Sequence, residues 1–188
     1  MVAALRIALD PGYADPHTGL ASYYMMMNDL GAIPPHEAAL PGRAACERAL
    51  EIDPSNSLAH ANLACFARVY DLDWMNAERH LAIALAAEAI PPYVHFLASV
   101  HHYWLGRFPE AIREMESCIE KDPLAGMYRA VLAWILVSAG SMERACVEVR
   151  RALEVDPNFW MSHGVPFRSN IRGWLRCAPV LTDPAWLS

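Results

Sequence analysis

Eight histidines and five cysteines are the side chains here whose chemistry could do more than pack. His95, His101 and His102 lie close together, and His95 and His102, at i and i+7, share one face of a helix. Imidazoles so placed could hold a metal or move a proton, but no carboxylate is close in sequence to orient them. His17, His60 and His80 stand alone. No Ser/His/Asp set, glycine-rich phosphate loop or pair of carboxylates at catalytic spacing is present. A metal-dependent hydrolase using the histidines is therefore the weakest reading kept open, and no catalytic residue, cofactor or metal is expected.

The cysteines, Cys46, Cys65, Cys118, Cys146 and Cys177, are odd in number and show no C-x-x-C spacing. Reduced thiols, mostly buried, in a cytoplasmic protein are expected rather than a disulfide framework or a zinc site. A third set of residues can bind without reacting. Tyr93, Phe96, Val100 and Tyr103 are spaced i, i+3, i+7 and i+10, and the same spacing recurs further on in Met127, Ala130, Trp134 and Val137. Both runs place apolar and aromatic side chains along one stripe of a helix.

The elements that position these residues follow from repetition. Ala111, Met115, Cys118, Ile119 and Pro123 recur at one constant offset as Ala145, Val149, Ala152, Leu153 and Pro157. Going backwards, Ala77, Leu81, Ala84 and Leu85 match, then Gly42, Cys46, Ala49 and Leu50, followed by Pro54. Each copy is an amphipathic helix with charges on its outer face, as in Glu110, Arg113, Glu114, Glu116 and Glu120, and a proline limits its length. A second helix precedes each, marked by Leu20-Ala21, Leu63-Ala64, Ala98-Ser99 and Leu132-Ala133. Gly106 and Gly140 end that first helix in two of the units, and Asp73 is placed to cap a helix that follows it.

Composition excludes other classes. A chain of 188 residues with 55% hydrophobic content buries a core, and its net charge of −6 with scattered cations leaves no basic stripe for nucleic acid. The longest apolar run, Ala130 to Ala139, is too short to span a bilayer, and the apolar start, Met1 to Pro11, is too short for a signal-peptide core.

A helical hairpin with a period of about 34 residues and these slots resembles the tetratricopeptide repeat. The resemblance covers about residues 12–157 and implies an all-α, right-handed superhelical stack of antiparallel helix pairs with four repeats, 12–54, 55–91, 92–125 and 126–157. Residues 1–11 match the end of a second helix from an incomplete leading repeat, which suggests a fragment. Residues 158–188 start a fifth repeat that Pro166 interrupts, followed by an atypical cap or tail. The segments Gly31 to Ala38 and Tyr70 to Glu78 further resemble the C-terminal repeats of bacterial multidomain regulators: winged-helix transcriptional regulators, kinases and adenylate cyclases.

The resemblance implies a non-catalytic protein-interaction module. In such a stack the first helices line the concave side, so Tyr93, Phe96, Val100, Tyr103, Met127 and Trp134 are expected to form an apolar groove for a peptide or helix with apolar or aromatic anchors. The slots Leu58, Ala61 and Cys65, with Ala130, are expected on the same side. They lack the Lys, Asn and Arg set with which related co-chaperone repeats grip a C-terminal carboxylate. Two alternatives stay open: the partner is a second copy of the chain, making a homodimer, or the stripe is simply interior.

Overall fold

A computed structural model of the chain describes residue 10, residues 12–29 and residues 31–156. Every regular element among them is helical: α1 (Asp15–Asp29), α2 (Pro35–Ile52), α3 (Ser57–Phe66), α4 (Trp74–Leu85), α5 (Pro92–Trp104), α6 (Phe108–Lys121), α7 (Gly126–Ser138) and α8 (Met142–Val155). The all-α helical-repeat class expected from the sequence is the class observed. The expected leading partial helix and the expected tail over 158–188 lie outside the described residues. The chain divides into two compact units between His101 and His102, within α5.

Local chemistry explains where the helices begin and end. The Asp73 carboxylate accepts the Asn76 N–H at 3.0 Å and caps α4 as expected, and the Asn56 side chain accepts the Ala59 N–H at 2.9 Å to cap α3. Pro35 opens α2, where the missing N–H costs nothing. Helix α6 stops at Lys121, before Pro123. Gly31, Gly106 and Gly140 turn the chain between paired helices with φ of 71°, 71° and 78°, the left-handed region that glycine enters without a Cβ penalty.

The turn between α3 and α4 departs from this pattern. A π-helical turn, Ala67–Asp71, prolongs α3, and Leu72 follows it at φ 55°. The Leu72 and Asp73 N–H groups both donate to the Ala67 carbonyl, and Arg43 braces the turn from α2 by pairing with Asp71 at 2.6 Å. Leu72 thus takes the conformation that three glycines take in the other turns, while 69% of it remains exposed. Leu72→Gly is expected to raise the unfolding free energy by roughly 0.5–1 kcal/mol, because removing left-handed strain outweighs the entropy a glycine adds to the unfolded chain. Denaturant titration of the two proteins measures it; a destabilised variant would mean that the Leu72 side chain carries packing its exposure conceals.

In the first unit a core runs through Ala21, Met25, Cys46, Phe66, Leu81, Val94 and Leu97. Gly42 is closed over by Phe66: a Cβ on Gly42 would collide with the ring, whose Cε1 would stand 2.9 Å away. Asn62, fully buried on α3, donates from Nδ2 to the Ser22 hydroxyl at 3.0 Å and to the Thr18 carbonyl at 3.3 Å, joining α3 to α1. In the second unit Ala111, Met115, Cys118, Ile135, Leu136 and Ala145 are buried between α6, α7 and α8. The alanine slots read from the repeat, Ala77, Ala111 and Ala145, are all interior.

Cys46, Cys65 and Cys118 are buried thiols. Burial, which disfavours the thiolate, pushes Cys46 and Cys118 up to about 12. Cys146 is half-buried on α8. Cys177 lies outside the described residues.

Candidate partner-binding surface

Helix α5 carries no Asp, Glu, Lys or Arg, and α7 carries only Arg129, which is tied to Glu148 at 3.0 Å. Helices α6 and α8 hold the charges of the second unit instead, among them Glu110, Arg113, Glu143 and Arg144. A surface made from α5 or α7 is therefore almost free of formal charge.

In the first unit, α5 turns Val94, Leu97, Ala98 and His101 inward. Tyr93, Phe96 and Val100 are half-buried beside them. The Tyr93 and Phe96 rings stack with centroids 5.4 Å apart and planes 16° apart, and both pack against the core of that unit. One flank of each ring is thus committed to the fold. The slots Ala61 and Cys65 are buried, which corrects their expected place on a groove.

In the second unit, Tyr103 and Trp134 meet with centroids 4.6 Å apart, and the Tyr103 hydroxyl lies 3.4 Å from the Ser138 hydroxyl. Phe108 and Trp104 adjoin Tyr103 at 6.1 Å and 5.8 Å. Tyr103, Met127 and Trp134 are half-buried, whereas Ala130, expected beside them, is interior. Trp104 was not singled out from the sequence, yet it is 58% exposed and has the largest uncovered aromatic surface of the group. Its position directly after Tyr103, at i+11 from Tyr93 on the same helical stripe, was the available signal.

Polar clusters compete poorly with these aromatics. A cleft of about 420 Å³ is lined by Glu116, Glu120, Arg129, Arg144, Glu148 and Arg151, but most of these charges are paired: Arg144 with Glu116 at 2.7 Å and Arg151 with Glu148 at 2.9 Å. Among the described residues no group of three or more His, Cys, Asp or Glu gathers as metal ligands do. His101 is buried beside the Trp74 ring, and His102 is held below the ordinary histidine range, chiefly by burial. His60 and His80, which stand alone in the sequence, are in contact, with Nδ1 atoms 3.0 Å apart. No helix among the described residues is long and apolar enough to cross a membrane.

No protein-family model matches the sequence, and no curated protein matches it. Solved structures do. The chain is similar to YrrB, described as a TPR protein with an unusual peptide-binding site, at 16% identity and a TM-score of 0.57 over 97% of this chain and 94% of that one. It is similar to pilF of Pseudomonas aeruginosa at 20% identity and a TM-score of 0.62, covering 92% and 87% of the two chains. PilW, a type IV pilus biogenesis factor, matches at 14% identity and a TM-score of 0.65, covering 99% and 84%. At these identities the likeness is one of fold, the tetratricopeptide-type helical repeat.

Proposed function

We propose that the chain is a non-catalytic protein-interaction module that receives apolar or aromatic anchors of a peptide or helix, built on the four repeats 12–54, 55–91, 92–125 and 126–157. The contact residues are Tyr93, Phe96 and Val100 in the first unit and Tyr103, Met127 and Trp134 in the second, with Trp104 added. The observation that carries this reading is the near absence of charge on α5 and α7 with their half-covered aromatics, above all Trp134 against Tyr103 at 4.6 Å. Rigid, partly desolvated aromatic groups are where binding energy concentrates in protein interfaces. The peptide-binding site ascribed to YrrB supports the same class of partner on the same fold. The context we assign, a bacterial signalling or transcription regulator, rests on the Gly31 to Ala38 and Tyr70 to Glu78 segments alone.

The test uses a random peptide display library selected on the full chain. Selected peptides are expected to carry apolar or aromatic anchors. Trp134→Ala is expected to weaken their binding about thirtyfold, close to about 2 kcal/mol, with little dependence on salt. Selection of acidic or basic peptides, or unchanged affinity in Trp134→Ala, would defeat the proposal. An interior role makes the opposite forecast, about 3–5 kcal/mol of lost stability with affinity of the folded fraction intact. Light scattering of the chain alone separates the alternative in which the partner is a second copy.

A further inference from the structure

His60 and His80 belong to the two helices of one hairpin, α3 and α4. The Nε2 of His60 lies 3.1 Å from the Pro54 carbonyl, which can only accept, so that nitrogen carries a hydrogen. The neutral His60 ring then has its lone pair on Nδ1, and the Nδ1 of His80, 3.0 Å away, must donate to it. Both tautomers follow from one carbonyl. The ring centroids are 5.3 Å apart, which exceeds the nitrogen separation by about two ring radii, so the two nitrogens lie on the line between the rings. That is the geometry of a hydrogen bond. A shared metal ion would need the two lone pairs to converge on a point beside that line.

The pair can accept one proton, on the far nitrogen of His80, without disturbing the bond. A second must enter at the Nδ1 of His60, where it would face the Nδ1–H of His80 and set two imidazolium charges side by side. Only separation of the rings accommodates it. In an unfolded chain both rings protonate near about 6.5.

We propose that the His60–His80 hydrogen bond is a proton-sensitive latch of the α3–α4 hairpin, closed while the two rings hold at most one extra proton and released when both become charged. Charged groups on the neighbouring elements set its surroundings. Helix α3 has no Asp, Glu, Lys or Arg of its own. At the end of α2 stands Asp53, whose carboxyl is held low first by the Ser55 hydroxyl and N–H and to a lesser extent by His60. Asp15 of α1 lines the same cleft as Asp53. The π-helical turn uses its charges elsewhere, Asp71 on Arg43 and Arg68 on the Cys65 sulfur. On α4, Arg79 adjoins His80, and burial first, then His60 and Arg79, hold His80 below the ordinary histidine range. The sign follows: a histidine lowered in the folded state leaves stability whole above the unfolded value and removes it as pH falls below about 6.5.

Nitrogen NMR of the imidazoles in the full chain, titrated from about pH 8 to about pH 5, tests the latch. The expected result is a hydrogen on Nε2 of His60 and on Nδ1 of His80 at the alkaline end. Uptake of no more than one proton by the pair should precede loss of exchange protection in α3 and α4. The melting temperature should fall with pH over the same range, and His80→Gln and His60→Gln should flatten that fall. Two independent titrations near 6.5 with protection retained would overturn the proposal, as would a pH-dependent melting temperature that both variants leave unchanged. If either variant fails to fold, the tautomers and proton count of the unmodified chain decide alone.

Discussion

Phe66→Ala should cost the first unit about 3–5 kcal/mol of unfolding free energy, the range for deleting a fully buried aromatic ring. The effect belongs to a specific notch. Gly42 occupies the helix slot that holds Ala77, Ala111 and Ala145 in the later repeats, and it is glycine because the Phe66 ring fills the space a Cβ would need. Gly42→Ala alone should therefore cost about 1–3 kcal/mol by overpacking. Combined with Phe66→Ile, it should lose less than the sum of the single changes, since the smaller side chain makes room for the new methyl. Urea titrations of the two single variants and the double variant measure the cycle; strict additivity would show that Gly42 and Phe66 do not share the notch.

Met115→Ala is expected to remove about 2–5 kcal/mol from the second unit. Met115 is completely buried on α6, among Ala111, Cys118 and the apolar face of that helix, and its flexible chain leaves a cavity that rigid neighbours fill poorly. Leu124 on the following turn is 77% exposed, so Leu124→Ala serves as the control with a change within about 0.5 kcal/mol. Amide exchange in α6 and α7 is the suitable readout, because a chain with two compact units need not unfold in one step. Equal protection in the two variants would contradict the placement of Met115 in the core.

The helices were legible because their devices are local. Alanine slots, the Asp73 cap and Gly106 and Gly140 each act over a short stretch of chain, and the sequence records them directly. The π-helical turn left a fainter trace. The interval from Ala64 to the Ala77 slot is longer by a single position than those from Ser99 to Ala111 and from Ala133 to Ala145, and that extra position is what a wider helical turn absorbs. The stripe on α5 was readable as a stripe, but helical periodicity does not say which flank a neighbouring helix will cover. Hence Ala61, Cys65 and Ala130 went inside while Trp104 stayed out. The histidine pair was invisible for a different reason. His60 and His80 are far apart along the chain, and only the packing of α3 on α4 brings them together.

The buried thiols of Cys46 and Cys118 also give the two units a chemical clock. With their ionisation pushed up to about 12, these sulfurs are almost wholly protonated at neutral pH and closed to solvent, so an alkylating reagent can reach them only during moments when α2 or α6 lifts away. Cys46 lies in the first unit and Cys118 in the second. The modification rate at each therefore counts the openings of its own helix, without any label having been introduced.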